Sequence, residues 1–135
     1  MIGPFLAFQF SIDINYSTAT MFDESEFVVA GPGALSGISK CFDSVPRGSE
    51  EDIIYWVCER QEEEFAKRGL EFKYLGGRRL QPIDIQNLFC EVDKYSRVSH
   101  QGIKGISERT TIKQKFRPNL DPIAYFFPPK WGLTI

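Results

Sequence analysis

The chain has 135 residues, a length that fits one domain with a real hydrophobic core. Its 42% apolar and 25% charged residues are ordinary globular values, and its three cysteines are odd in number with no CxxC or zinc-type spacing. A disulfide scaffold and a zinc site are therefore set aside, and a reducing intracellular compartment is expected, nucleus in a eukaryote or cytoplasm in a bacterium or phage.

No basic segment follows Met1, and Asp13 interrupts the apolar opening run, so neither a signal peptide nor a membrane span is expected. The net charge is only −2, but it is unevenly spread. Met21 to Glu71 holds twelve acids against five Lys/Arg, whereas Lys94 to Arg117 holds seven Lys/Arg against the single acid Glu108. One face can be basic on an acidic molecule, which suits a nucleic-acid partner and equally a solvated basic loop.

In chain order, Gly3-Pro4 reads as a helix opening, because proline at a first helical position gives up an N–H that would be orphaned anyway. That helix is expected to reach Asn15 or Tyr16. Its run of Phe5, Leu6, Phe8, Phe10, Ile12 and Ile14 predicts burial on most sides, by later helices or by upstream structure not present here. Ser17 to Glu26 reads as loop. FVVAGPGALSGISKCF predicts a short extended stretch, a Gly-Pro-Gly turn and a helix of about ten residues.

Ser49-Glu50-Glu51-Asp52 is a capping-box pattern before a long helix, Glu50 to about Arg68, with Ile53, Ile54, Val57 and Phe65 as its apolar stripe and Gly69 as its stop. Gly76-Gly77 reads as a turn. Pro82 opens a further helix ending near Val98, with Ile85, Leu88, Phe89 and Val92 as its buried stripe. Basic loops follow, with a short helix near Thr111 to Phe116 and an aromatic, proline-rich arm from about residue 118. The expected class is mainly α, one domain over residues 1–135 with four or five helices.

Two polar rows stand out. Asp84, Asn87, Glu91 and Lys94 share about one-quarter of the circumference of their helix. They suit hydrogen bonding or proton transfer to a polar ligand, although Glu91 and Lys94 at i,i+3 can equally pair with each other. Gln9, Asp13 and Tyr16 recur at i, i+4, i+7 on the apolar first helix. A buried carboxylate needs a partner or a cavity, so Asp13 is expected either in a structural salt bridge or facing a cleft shared with the second row.

Gly31-Pro32-Gly33 lacks the Lys-Ser/Thr of a P-loop and reads as a plain turn more readily than as a phosphate cradle. His100, the single histidine, falls in a loop. No nucleophile triad and no metal site is indicated. The rings of Tyr125-Phe126-Phe127-Pro128-Pro129-Lys130-Trp131 suit an arm packed on the core, or else stacking on a base or a partner.

Taken together, IGPFLAFQFSIDINYS, EFVVAGPGALSGISKCF, NLFCEVDKYSRV, RTTIKQKF and PPKWGL resemble the helical family of DNA base hypermodification. That family is known as the 5-hydroxymethyluracil DNA kinase helical domain and the α-glutamyl/putrescinyl-thymine pyrophosphorylase, or amino acid:DNA transferase. The resemblance covers most of the chain. It implies a distant relationship to helix-hairpin-helix DNA glycosylases, visible in I-G-P-F-L-A as the second half of a hairpin. The helix that should precede Gly3 is missing. The implied state is a fragment, or a member that relies on a partner or on segments exchanged between copies. VVAGPGALSG carries no acid where a glycosylase places its catalytic Asp, which disfavours base excision.

The implied reaction transfers an amine, from an amino acid or polyamine, onto an activated 5-hydroxymethyluracil in DNA with loss of pyrophosphate and with no cofactor. On that resemblance Asp13 and Glu91 are candidate acid–base groups, and Lys94 and Arg97 would neutralise phosphate or pyrophosphate. Gln9 and Asn87 would read the base edge, with Tyr16 beside them at the substrate. Gly3, Lys104, Arg109, Lys113, Lys115 and Arg117 would contact the DNA backbone. The competing expectation is a non-catalytic nucleic-acid-binding or protein-interaction module of the same fold.

Overall fold

A computed structural model of the chain describes every residue except Gln114, Lys115, Thr134 and Ile135. Its elements are α1 (Pro4–Asn15), α2 (Pro32–Cys41), α3 (Glu50–Glu59), α4 (Gln61–Lys67) and α5 (Pro82–Ser99), followed by a 3-10 turn at Pro129–Trp131. Among the described residues there is no strand, only one isolated antiparallel bridge, Leu75 to Arg78, across the Gly76-Gly77 turn. The mainly α expectation holds. No helix among these residues is long and apolar enough to cross a membrane.

The three helices that open on proline begin where the sequence places them. Gly3, Gly31 and Gln81 are extended N-caps, and Pro4, Pro32 and Pro82 follow at the first helical positions. α5 is further fixed by the Asp84 carboxylate, which accepts the Gln81 N–H at 2.8 Å.

The centre of the fold is the packing of α2 on α5. Gly33 and Gly37, one turn apart on α2, bring the two backbones close. A β-carbon added at Gly37 would lie 2.0 Å from the Phe89 carbonyl oxygen, and one at Gly33 would meet the Cys90 sulfur at 2.5 Å. Around this contact lie Ala34, Ile38, Ile54, Ile83, Ile85 and Phe89, with α1 adding Phe8 and Ile12 and the extended 27–31 segment adding Val28 and Ala30. Each fully buried isoleucine contributes about 1.5–3 kcal/mol of transfer free energy.

α1 docks on the extended segment, with Phe8 edge-on to Phe27 at 6.0 Å and Phe5 against Gly31. Its Phe8 and Ile12 join Ile83, Ile85 and Phe89 of α5 in the same core.

Several sequence expectations are corrected here. α1 is not buried on most sides: Phe8, Ile12 and Asn15 face inward, while Leu6, Phe10 and Ile14 remain about half exposed. The buried face of α5 is set by α2 and carries Gln86, Asp93 and Ser96 beside Ile85 and Phe89, leaving Leu88 49% exposed. Ser49 makes no side-chain cap; its hydroxyl donates to the Pro46 carbonyl at 2.7 Å, and Glu50 accepts the Gly48 N–H at 2.9 Å.

The expected single helix from Glu50 to Arg68 is broken at Arg60. The buried Gln61 side chain donates Nε2–H to the Cys58 carbonyl at 2.6 Å and to the Leu80 carbonyl at 3.0 Å, and its Oε1 accepts the Leu80 N–H at 3.0 Å. Arg79 also donates to the Cys58 carbonyl. That carbonyl is thereby taken from the helical ladder, and the chain restarts as α4.

Thr111 to Lys113 are not helical, and the rest of that expected helix falls partly on Gln114 and Lys115, outside the described residues. The arm from residue 118 divides: Trp131 packs on Tyr16, while Phe126 is 86% exposed.

Candidate anion pocket

α2 and α5 meet in a polar cluster at the end of their apolar contact. Asp93 of α5 is fully buried. Its Oδ1 accepts from Ser36 Oγ at 2.7 Å and pairs with Lys40 Nζ at 2.8 Å, and its Oδ2 pairs with an Arg97 guanidinium nitrogen one turn on. Lys40 Nζ also donates to Ser96 Oγ at 2.8 Å. The Lys40 and Arg97 side chains are only 4% and 9% exposed. Burial alone would push the Asp93 carboxyl up, but hydrogen bonds from Lys40, Ser36 and Arg97, with the guanidinium charge, outweigh it and hold it below the ordinary Asp value.

One carboxylate facing two cations leaves a surplus positive charge, and that surplus borders a cavity. The cavity has a volume of about 800 Å³, with Lys40 and Arg97 in its wall and Gln101 and residues 103–111 forming the remainder. Lys104 and Arg109 bring the cations around it to four, against Glu108 as the acid. Ser107, Thr110 and Thr111 add hydroxyls.

The loop is tied to the helices. Ile106 N–H donates to Ser39 Oγ at 3.0 Å, Gly105 lies too close to Ser36 and Lys40 to carry a side chain, and Arg97 Nη1 donates to the Thr111 carbonyl at 3.2 Å. Arg97 Nε is buried with no partner among the described residues. A guanidinium fixed by a buried carboxylate in the wall of a cavity is a preorganised cation for an anion.

Of the residues singled out from sequence, the structure gathers Arg97, Lys104 and Arg109 at this cavity. Asp13 and Glu91 do not line it. Asp13 is exposed on α1, and Glu91 pairs with Lys94 at 2.5 Å on an open face of α5, where the two side chains are 64% and 42% exposed. Asn87 is exposed, and Gln9 is half-buried with Nε2 buried and unpartnered among the described residues. The two polar rows therefore do not converge as whole rows, since Asp13 on α1 and Asn87 and Glu91 on α5 are exposed.

Their ends do approach each other. Arg78 reaches Asp84 at 3.3 Å and stacks on Trp131, whose ring meets the edge of Tyr16 at 5.5 Å. The Tyr16 hydroxyl is pushed up to about 12, by burial first and then by the charges of Glu24 and Asp84. Gly3 is exposed at the start of α1, Lys113 and Arg117 are exposed, and Lys115 lies outside the described residues.

Sequence reasoning missed Ser36, Lys40, Asp93 and Ser96. A signal existed in part: Asp93 and Arg97 are spaced i,i+4, and Asp93 falls one turn beyond Phe89 on the buried stripe. The partner across the helix interface had no signature along the chain.

Residues 1–105 match the family described as "5-hmdU DNA kinase, helical domain". A 5-hmdU DNA kinase of Bacillus phage SP10 is 24% identical over 136 residues, an alignment that takes in 94% of this chain and 21% of the phage protein. The chain thus spans about a fifth of the length of that relative. No solved structure matches.

Proposed function

The chain belongs to the family of 5-hmdU DNA kinase helical domains, and from that premise we propose that its basic cavity receives the phosphate or pyrophosphate of an activated 5-hydroxymethyluracil in DNA. Membership in the family implies a part in DNA base hypermodification. The observation that carries the finer reading is the floor of the cavity, where Asp93 fixes Lys40 and Arg97 beside a space large enough for a phosphorylated nucleotide.

In this reading an amine nitrogen, from an amino acid or polyamine, bonds to the 5-methylene carbon. The carbon–oxygen bond breaks with its electrons on the departing pyrophosphate, and the new ammonium loses a proton. Lys40 and Arg97 stabilise the charge that builds on the leaving oxygen. Lys104 and Arg109 hold the approaching strand. Gly3, Lys113 and Arg117 extend the backbone contacts, Asp13 and Glu91 serve as acid–base groups from their exposed faces, and Lys94 adds to the neutralisation of phosphate.

A second reading is a non-catalytic nucleic-acid-binding module. It is favoured by the complete engagement of Asp93 with Ser36, Lys40 and Arg97, which leaves Glu108 as the one acid in the cavity's lining.

The test pairs binding with turnover. Replacing Lys104 and Arg109 together with alanine should weaken duplex binding and lower the salt slope by about 0.9 per lost phosphate contact. Incubation with pyrophosphorylated 5-hydroxymethyluracil DNA and an amine, followed by nucleoside mass spectrometry, should give an aminated base. Binding without any such product selects the second reading, and an unchanged salt slope removes the cavity from both.

A further inference from the structure

The turn that ends the aromatic arm is held by an uncommon set of partners. The Trp131 indole lies under the Arg78 guanidinium, 4.1 Å from carbon to ring centroid, and takes the Tyr16 ring edge-on at 80°. Its Nε1–H donates to Glu24 Oε1 at 2.9 Å. Glu24 is only 8% exposed and pairs through its other oxygen with Arg78, which also reaches Asp84. The slot therefore offers a cationic face, an aromatic edge and a buried carboxylate that accepts from a ring N–H.

Anchoring an arm needs only apolar contact, and burying an ion pair to do it is costly. The same three elements suit a planar heterocycle with a ring N–H: a cation to stack on one face, an aromatic ring in edge contact, and an acceptor for the N–H. Beside the indole lies a cavity of about 390 Å³ with Phe22, Gln81 and Lys130 in its wall, so a ring larger than one side chain has room to enter.

Among the described residues one backbone–backbone hydrogen bond ties the turn to the rest of the fold, and side chains make its other contacts. The Lys130 amide reaches the Tyr16 carbonyl at 3.5 Å, Lys130 Nζ donates to Asn15 Oδ1 at 2.9 Å and to the Phe22 carbonyl, and the arm before it is open, with Leu120 98% exposed.

We infer that the slot occupied by Trp131 is a binding site for a nucleobase bearing a ring N–H, and that the 129–131 turn is a cap which such a base displaces. The choice of a nucleobase rests on the proposed engagement of DNA; the slot itself involves none of the residues of the basic cavity. A pyrimidine entering it donates N3–H to Glu24, stacks on Arg78 and turns an exocyclic oxygen toward Gln81.

The test uses the 135-residue chain with Trp131→Gly, titrated with thymidine, N3-methylthymidine and indole. Thymidine should bind the variant at least about tenfold more tightly than wild type, and the methylated nucleoside about tenfold more weakly than thymidine, because it leaves the buried carboxylate without a donor. A variant that takes indole but does not distinguish the two nucleosides shows an anchor only and overturns the inference.

Should the variant not fold, the wild-type indole N–H resonance of Trp131, read against that of the half-exposed Trp56, is followed during titration with the same nucleosides. Movement toward the solvent-exposed position with thymidine alone supports displacement, and a fixed resonance at saturating thymidine overturns it. An oligonucleotide that fails to bind wild type counts against the DNA-engagement reading, while the nucleoside titrations still decide the slot.

Discussion

Replacing Asp93 with asparagine removes the one negative charge between two cations that are themselves almost wholly buried. Asparagine can still accept one hydrogen bond, from Ser36 or Lys40, but its amide nitrogen then confronts another donor. Breaking a buried ion pair from one side costs about 3–5 kcal/mol. For a domain of this size that corresponds to a fall in melting temperature of about 10–20 °C.

The same substitution raises the charge surplus at the cavity by one, so pyrophosphate should bind the variant more tightly and restore part of the loss by mass action. Stability falls while anion affinity rises, a combination that simple core damage does not produce. Because the folded-state pKa of Asp93 is depressed, its contribution is present above the unfolded carboxylate value of about 3.9 and is lost as pH falls through the folded value. The gap between wild type and variant should therefore stay constant from about pH 5 to pH 8 and close below about pH 4.

The assay is thermal unfolding across pH in chloride, with and without pyrophosphate. A variant within about 1 kcal/mol of wild type, or one that pyrophosphate stabilises no more than wild type, refutes the assignment of Asp93 as the group that holds the pocket's cations.

Three further substitutions probe the packing and the exposed ion pair. Gly37→Ala drives a methyl group into the Phe89 carbonyl, which is backbone and cannot rotate away, so urea unfolding should show a loss of about 2–3 kcal/mol or more. Gly33→Ala meets the movable Cys90 thiol instead and should cost clearly less. Glu91→Ala removes a solvent-exposed i,i+3 pair, so stability should change by no more than about 0.5 kcal/mol. If amination is detected, its loss in this variant with DNA affinity intact keeps Glu91 as an acid–base group, and unchanged turnover removes it.

Where helices begin was legible in the sequence, because Pro4, Pro32 and Pro82 fix φ and lack the amide that a first turn leaves unsatisfied. Where one of them ends was not. The break at Arg60 depends on Gln61 reaching Leu80, nineteen residues away, and nothing between Glu50 and Arg68 announces it. Part of the site was legible as well: Arg97, Lys104 and Arg109 stand in the basic segment and meet at the cavity. Asn87, Glu91 and Lys94 align just as well on paper, yet α2 covers the neighbouring face of α5 and leaves that row in solvent.

By itself, the sequence determined the helical class, the three proline-marked helix starts, the placement of basic charge after Lys94 and the family. All of these are encoded locally, in single residues and short periodicities. Tertiary structure alone decided that Lys40 would sit 2.8 Å from Asp93 and that Glu24 would receive the Trp131 indole. Those partners are 53 and 107 residues apart, so their encounter depends on how closely the glycine face of α2 packs on α5 and on where the arm returns, which no local pattern specifies.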